Sequence, residues 1–328
     1  MLTRKLGRSG IEVSAMGLGG WAIGGPFNRL SDEGEESPMG WGQVDDIESI
    51  WAIHAAMDLG ITLFDTANNY GCGHSEEVLG KAFNDRRNKV IIATKFGSLC
   101  DEQRRHVRGS AEPGSIRSSL EGSLRRLQTD YIDLYQFHMG SHPVEEAGPV
   151  RKLMEDLVKE GKIRGYGWST DDPDRARFFA EGENCIAVQF SLNVINDVPE
   201  MIALLDEFNI AGLNKHPLAS GSLTGKFHDD YVFPEDDLRH EIDWKSERGQ
   251  RRLKLVAALR DVLTSGGRTM AQGAIAWIWA RDSHTIPIPG FKNVQQATEN
   301  AKAMEFGPLT AEQFRQVEEI MGRIPEMQ

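Results

Sequence analysis

The chain has 328 residues, 37 Lys and Arg against 49 Asp and Glu, and a formal charge of -12. With 40% apolar and 26% charged residues it has the make-up of a globular protein rather than a disordered one. The acidic balance argues against sequence-independent nucleic-acid binding, which needs a basic stripe, but leaves room for a local basic pocket for one phosphate.

The length fits either two domains or one α/β barrel of about 250 residues with insertions. A core of that size needs no disulfide to hold it. Cys72, Cys100 and Cys185 are odd in number and lack C-x-x-C spacing, which reads as a reducing compartment and no structural metal. The first ten residues, MLTRKLGRSG, carry no signal-peptide apolar run, and no stretch approaches the roughly 18 apolar residues of a membrane span. The expected location is the cytoplasm, with neither membrane nor nucleic acid as partner.

Short apolar runs occupy 13–21, 62–67, 89–96, 131–138, 163–170, 187–193, 210–218 and 285–290, with helical spacing between them. In the first such interval Ile47, Ile50, Trp51, His54 and Ala55 recur at i, i+3, i+4, i+7 and i+8 and predict one apolar stripe. Asp45 or Asp46 can cap that helix and Gly60 end it. A second helix opens at Ser75, with Glu76 and Glu77 in its first turn. Several runs, such as Val90-Ile91-Ile92-Ala93, are almost continuously apolar, as a parallel sheet buried on both faces requires. Eight strand–helix repeats without a linker, and without a G-x-G-x-x-G fingerprint, predict one (β/α)8 TIM barrel over residues 1–328, with an N-terminal hairpin. The segments 24–42 and 220–248 break the rhythm; each follows a strand, so both belong on the C-terminal face as binding loops or lids.

Ionisable residues end these runs. Asp65 closes the second, Lys95 the third and His138 the fourth, with Tyr70 just beyond the second strand. Any one alone would read as a structural ion pair or a hydrogen-bonded core histidine. Four at consecutive strand ends mark a site, because buried charges are costly unless paired. The Lys95 ammonium is expected to lower the Tyr70 phenol from its usual value near 10. Asp65 would hold Lys95, Tyr70 deliver a proton to a carbonyl oxygen, and His138 orient that oxygen. No metal is required, and hydride must come from a nicotinamide.

LGRSGIEVSAMGLGGW, TLFDTANNYGCGHSEEVLGKAF, VIIATKFG, TDYIDLYQFH, GKIRGYGWST, PLASGSLTGK and IPIPGFKNVQQATEN follow one another as they do in aldo-keto reductases. The chain resembles that superfamily from Leu6 to about Asn300, and most of all the bacterial branch similar to inositol-operon reductases and potassium-channel β subunits. The resemblance implies an NADP(H)-dependent oxidoreductase interconverting an aldehyde or ketone and an alcohol, with NAD(H) as an alternative cofactor. By matching position, Asp65, Tyr70, Lys95 and His138 take the catalytic tetrad. Gly20, Trp21, Asp65, Ser169, Thr170 and Gln189 fall around the nicotinamide, with Thr170 where Asn is more usual. Pro217, Leu218, Ala219, Ser220, Lys226 and, more loosely, Arg239 match the pyrophosphate strap. Gly290, Lys292, Gln296, Glu299 and Asn300 match the adenosine end, Lys292 as partner of a 2′-phosphate. Lys215 stands where many relatives place an aromatic ring against the nicotinamide. Its ammonium is expected either to disfavour the oxidised cofactor or to point at the pyrophosphate. His216 replaces a common Ser.

Two further readings weigh against a reductase. A slow-turnover NADP(H)-sensing regulatory protein fits the channel-subunit resemblance, but no amphipathic or disordered arm offers a partner surface. A barrel hydrolase lacks its carboxylate pair. Trp21 and Trp41 are compatible with a sugar-like substrate. Substrate, reaction direction and oligomeric state are not encoded in any motif.

Overall fold

A computed structural model describes residues 2–31 and 33–324. The chain opens with an antiparallel hairpin, β1 (Thr3–Lys5) and β2 (Glu12–Ser14), in register Thr3↔Ser14. Next come β3 (Gly17–Gly19), β4 (Asn28–Leu30), β5 (Glu36–Pro38), α1 (Asp46–Asp58), β6 (Leu63–Asp65), α2 (His74–Phe83) and β7 (Ile91–Phe96). They are followed by β8 (Ser98–Cys100), β9 (Arg105–Gly109), α3 (Pro113–Leu127), β10 (Leu134–Phe137), α4 (Gly148–Lys159), β11 (Tyr166–Ser169) and α5 (Pro173–Ala180). The chain then forms β12 (Cys185–Ser191), α6 (Pro199–Phe208), β13 (Ala211–Lys215), α7 (Glu247–Thr264), α8 (Met270–Arg281) and β14 (Thr285–Pro287). The described chain ends with α9 (Val294–Ala301), α10 (Ala303–Phe306) and α11 (Ala311–Ile320).

Eight strands pair in parallel in the order β14-β13-β12-β11-β10-β7-β6-β3, and a parallel bridge between Gly19 and Gly290 joins the two ends. All eight coincide with the apolar runs, so the (β/α)8 barrel read from the sequence is the observed fold. The run 13–21 divides at Ala15 and Met16 into a hairpin strand and the first barrel strand. Barrel interior and helix layer form separate apolar clusters. Leu63, Ala93, Leu134, Ala187, Leu213 and Ile286 fill the interior, while Phe64, Ile92, Tyr135, Trp168 and Phe190 face the helices. Inward and outward residues alternate along each strand.

Three expectations are corrected. In α1, Asp45 caps the start as predicted, accepting from the Ile47 and Glu48 amides. The buried stripe, however, is Ser49, Ala52, Ile53 and Ala56, while Ile47 and Trp51 are each 60% exposed. Small residues let α1 lie close to its neighbours, and periodicity alone could not choose between two faces of similar spacing. Ser75 does not cap α2, which follows Gly73 without a side-chain cap. Its hydroxyl instead donates to the Gly20 carbonyl and accepts from Thr66 Oγ1, each at 2.8 Å, tying β3 to β6. Finally, Cys72 and Cys100 form a disulfide with Cα atoms 5.8 Å apart. Cysteine spacing is blind to a contact made between two loops, so cysteine usage here gives no argument for a reducing compartment. Cys185 is free and buried. No helix among the described residues is long and apolar enough to cross a membrane.

Candidate active site

β6, β7 and β10 are adjacent in the sheet, with Asp65 opposite Ala93 and Lys95 opposite Gln136. Their carboxyl ends therefore bring Asp65, Lys95 and His138 to one point of the C-terminal face. Tyr70 arrives on the one-turn helix Tyr70–Gly73 that leads from β6 into α2. That turn sits tightly on the first loop: a Cβ on Gly71, which has φ +58, would run into the Gly24 carbonyl.

Lys95 Nζ donates to Asp65 Oδ2 at 2.7 Å, to the Thr66 carbonyl at 2.7 Å and to Tyr70 Oη at 2.9 Å. All three donors of the ammonium are thereby used. Asp65 Oδ1 accepts from Gln136 Nε2 at 3.1 Å and Gln189 Nε2 at 2.8 Å. Lys95 is fully buried and Asp65 2% exposed. The Tyr70 ring packs edge-on to Trp21 at 4.8 Å and to His138 at 6.1 Å between centroids.

The electrostatics depart from the sequence reading in one respect. Burial, and then the Asp65 carboxylate, hold the Tyr70 phenol well above its usual value. The Lys95 ammonium does not bring it down, because burial and the Asp65 carboxylate outweigh it. Lys95 itself is pushed down by burial and held up by Asp65. Burial, then the charges of Lys95, Lys215 and His106, push His138 well below the ordinary histidine value. The result is a protonated phenol beside a neutral imidazole.

Two layers cover this mouth. Trp21 stands against Phe27 at 6.0 Å as well as Tyr70. Above them lies a second sheet in the order β5-β4-β9-β8, built from the first loop and the segment after β7. The Cys72–Cys100 disulfide joins the Tyr70 turn to the edge of that sheet.

The remaining predicted residues lie between the strand ends and α9. Gly20 has its N–H on the Asp65 carbonyl at 2.7 Å. Ser169 Oγ is buried without a partner, whereas Thr170 Oγ1 is engaged by the Gly140 carbonyl and the Asp172 amide. The Gln189 amide is turned to Asp65 and to Gln136 Oε1. Lys215 Nζ pairs with Asp171 Oδ2 at 3.3 Å, a partner the sequence reading did not foresee. His216, Ala219 and Ser220 all take left-handed conformations, flanking buried Pro217 and followed by turns that close on the Leu218 carbonyl. Non-glycine residues adopt that region only at a cost of roughly 1–2 kcal/mol each, so the strap's shape is imposed by its surroundings.

Beyond the strap, Lys226, Arg239 and Lys292 come within electrostatic reach of one another, and burial with mutual repulsion lowers Lys226. Asp237 binds Arg239 at 2.7 Å, and Arg239 also donates to the Ser220 carbonyl. Trp41 does not line the mouth. It lies under Arg239 at 4.1 Å, bridges to Asp237, and its carbonyl accepts from Lys292 Nζ, so the two long loops meet there. Gln296 Oε1 accepts from the Lys292 amide, Asn300 Nδ2 donates to the Gly290 carbonyl, and the Glu299 carbonyl accepts from Gln272. A buried orphan hydroxyl at one end and three crowded cations at the other suit an extended ligand with a polar head and phosphates.

Sequence reasoning missed Gln136, the Asp171 partner of Lys215 and the cysteine pair. Gln136 had a signal: it lies two residues before His138, on the same strand face, inside an apolar run. Asp206, Asp282 and His284, the one grouping of possible metal ligands among the described residues, lie outside this site, with His284 Nδ1 bonded to both carboxylates.

The model of the Aldo/keto reductase family matches residues 15–321. The aldo-keto reductase YhdN of Bacillus subtilis is 35% identical over 296 residues, covering 88% of this chain and 84% of that protein. The aldo-keto reductase yakc [NADP(+)] of Schizosaccharomyces pombe is 31% identical, covering 92% and 86%. Among solved structures, the glycerol dehydrogenase of Gluconobacter oxydans superposes with a TM-score of 0.82 at 30% identity, over 99% of this chain and 98% of that one. An aldo/keto reductase of Klebsiella pneumoniae, solved in complex with NADP and acetate, shares the fold with a TM-score of 0.71 at 24% identity, covering 100% and 98%. By its fold and its match over almost the whole length, the chain belongs to the aldo/keto reductase family.

Proposed function

We propose that the chain is an NADP(H)-dependent oxidoreductase that interconverts an aldehyde or ketone and the corresponding alcohol. One observation carries the reading: Lys95 Nζ is bonded at once to the Asp65 carboxylate and the Tyr70 hydroxyl in a fully buried site. Because the phenol oxygen accepts from Lys95, its own proton is free to be given to a carbonyl oxygen. The neutral His138 offers a second donor that orients the same oxygen. Asp65, fixed by Gln136 and Gln189, keeps Lys95 from turning away. In the reverse direction the phenol oxygen recovers the proton from the alcohol.

When bound, a reduced nicotinamide supplies the hydride for the carbonyl carbon. Ser169 and Trp21 would hold its ring end, the strap from Pro217 to Ser220 with Lys226 and Arg239 its pyrophosphate, and Lys292, Gln296, Glu299 and Asn300 its adenosine. Three cations brought together, with Lys226 and Lys292 partly desolvated by burial and Asp237 already held by Arg239, favour a ligand with an extra phosphate, hence NADP(H) over NAD(H), although Asp236 and Glu299 also act on them. The relative in fission yeast bears NADP(+) in its name.

The test is NADPH against NADH binding by tryptophan fluorescence, then turnover of an aldehyde panel by wild type and Tyr70→Phe. The expected result is tighter NADPH binding and loss of at least about 100-fold in kcat in the mutant, the upper-middle range for a positioned acid. Undiminished turnover by Tyr70→Phe would sink the mechanism.

A further inference from the structure

The sheet over the mouth carries a second message. β9 bulges at Val107, so Ser98, Cys100, Leu99 and their partners sort onto two faces: Cys100 opposes His106, Ser98 opposes Gly109, and Leu99 opposes Arg108. Cys100 is bonded to Cys72, two residues from Tyr70, and a Cβ on Gly109 would meet Met139, next to His138. The face bearing Cys100, His106 and Gly109 is therefore turned toward the catalytic residues. His106 in turn opposes Arg29 of β4, which places Arg29 on the same face.

Among the described residues each face carries one arginine without an ion pair or hydrogen bond, Arg29 on the inner and Arg108 on the outer. On the outer one Arg105 binds both Glu36 and Asp101, and Asn28 binds Glu36. On the inner one, among the described residues, Arg29 makes no ion pair or hydrogen bond, and His106 Nδ1 is buried without a partner. His106 also reaches His138 electrostatically, as do Lys95 and Lys215. Lys95 and Lys215 are balanced by Asp65 and Asp171, and burial with the charge of Arg29 lowers His106, so among the described residues of this face Arg29 is the cation left without a counter-charge. An exposed arginine without a partner, beside a histidine whose Nδ1 is buried and unpaired on the face turned toward the catalytic residues, is an arrangement that takes an oxyanion; Arg108, equally exposed and unpaired, lies on the face turned away.

We propose that the substrate carries an anionic oxygen group, a carboxylate or a phosphate monoester, held by Arg29 and His106 at the rim of the mouth. The inference rests on the carbonyl-reduction reading and narrows its substrate class. Adjacent strands are about 4.8 Å apart, so the row Cys100, His106, Arg29 extends roughly 10 Å from the disulfide. The anion accordingly sits several atoms away from the reacting carbon rather than beside it.

The experiment compares kcat/KM for butanal with succinic semialdehyde, and for glyceraldehyde with its 3-phosphate, using the full chain and NADPH. Wild type is expected to prefer the charged member of at least one pair, and the pair that responds identifies carboxylate or phosphate. Arg29→Ala should lower the charged-over-neutral ratio about tenfold through KM, the low end for a charged hydrogen bond at an exposed site. His106→Ala should lower it less, and Arg108→Ala, on the outer face, should leave it in place. No preference for either charged aldehyde, or equal losses for both members of each pair in Arg29→Ala, would overturn the proposal while leaving carbonyl reduction standing. Failure of all four aldehydes, with Tyr70→Phe indistinguishable from wild type, would overturn the underlying reading and this proposal with it.

Discussion

Asp65→Asn is the sharpest probe of the buried ion pair. The substitution keeps the shape and can keep an oxygen toward Gln136 and Gln189, but turns an amide donor toward Lys95 Nζ, 2.7 Å from the present oxygen. Lys95 is fully buried, so it cannot exchange the lost partner for water. Breaking such a pair by removing one member costs about 3–5 kcal/mol. With an unfolding entropy near 2.1 cal/mol/K per residue, a chain of 328 residues loses roughly 4–7 °C in Tm. Chemistry should change as well. Asp65 helps hold the Tyr70 phenol high, so the wild-type rate of carbonyl reduction should stay level to at least about pH 10. In Asp65→Asn that basic limb should move to lower pH. Calorimetry and a kcat–pH profile read both effects. A Tm within 1 °C of wild type (about the error of the comparison), together with an unmoved basic limb, would refute the balanced-pair account.

Four further outcomes follow from the site and its supports. Cys72→Ser should destabilise the protein by up to about 3.6 kcal/mol, the loop-closure value for a separation of 28 residues, and reduction should do the same, measured by denaturant melts. Lys292→Met should weaken NADPH binding roughly tenfold while changing NADH binding little, read by fluorescence titration. Because Asp171 already balances Lys215, Lys215→Met should shift the ratio of NADP+ to NADPH affinity less than about twofold, whereas Asp171→Asn should weaken NADP+ selectively. His138 has a lowered folded-state value, so below about pH 6.5 the unfolded chain takes up the proton first and stability falls with pH. His138→Gln should flatten that part of the Tm–pH curve.

The strands of the barrel and the tetrad are legible in the sequence because both are local patterns. A strand buried on both faces must be apolar along its length, and a charged residue at its end breaks that pattern visibly. Asp65, Lys95 and His138 each close such a run, and the parallel topology alone brings the ends together. The family resemblance supplies the expected track from Ser169 to Asn300, though no local rule would have joined those segments.

Other features depend on contacts between distant segments. Which face of α1 is buried was decided by the neighbours it packs against, not by its spacing. The direction of the Tyr70 shift is set first by burial and then by the nearby Asp65 carboxylate, both products of tertiary packing. Cys72 and Cys100, Lys215 and Asp171, and the row Cys100, His106, Arg29 arise where loops from different strands meet. Sequence periodicity encodes what one segment must bury. Charge balance and partner choice are set by three-dimensional neighbours, and only the tertiary structure decides those.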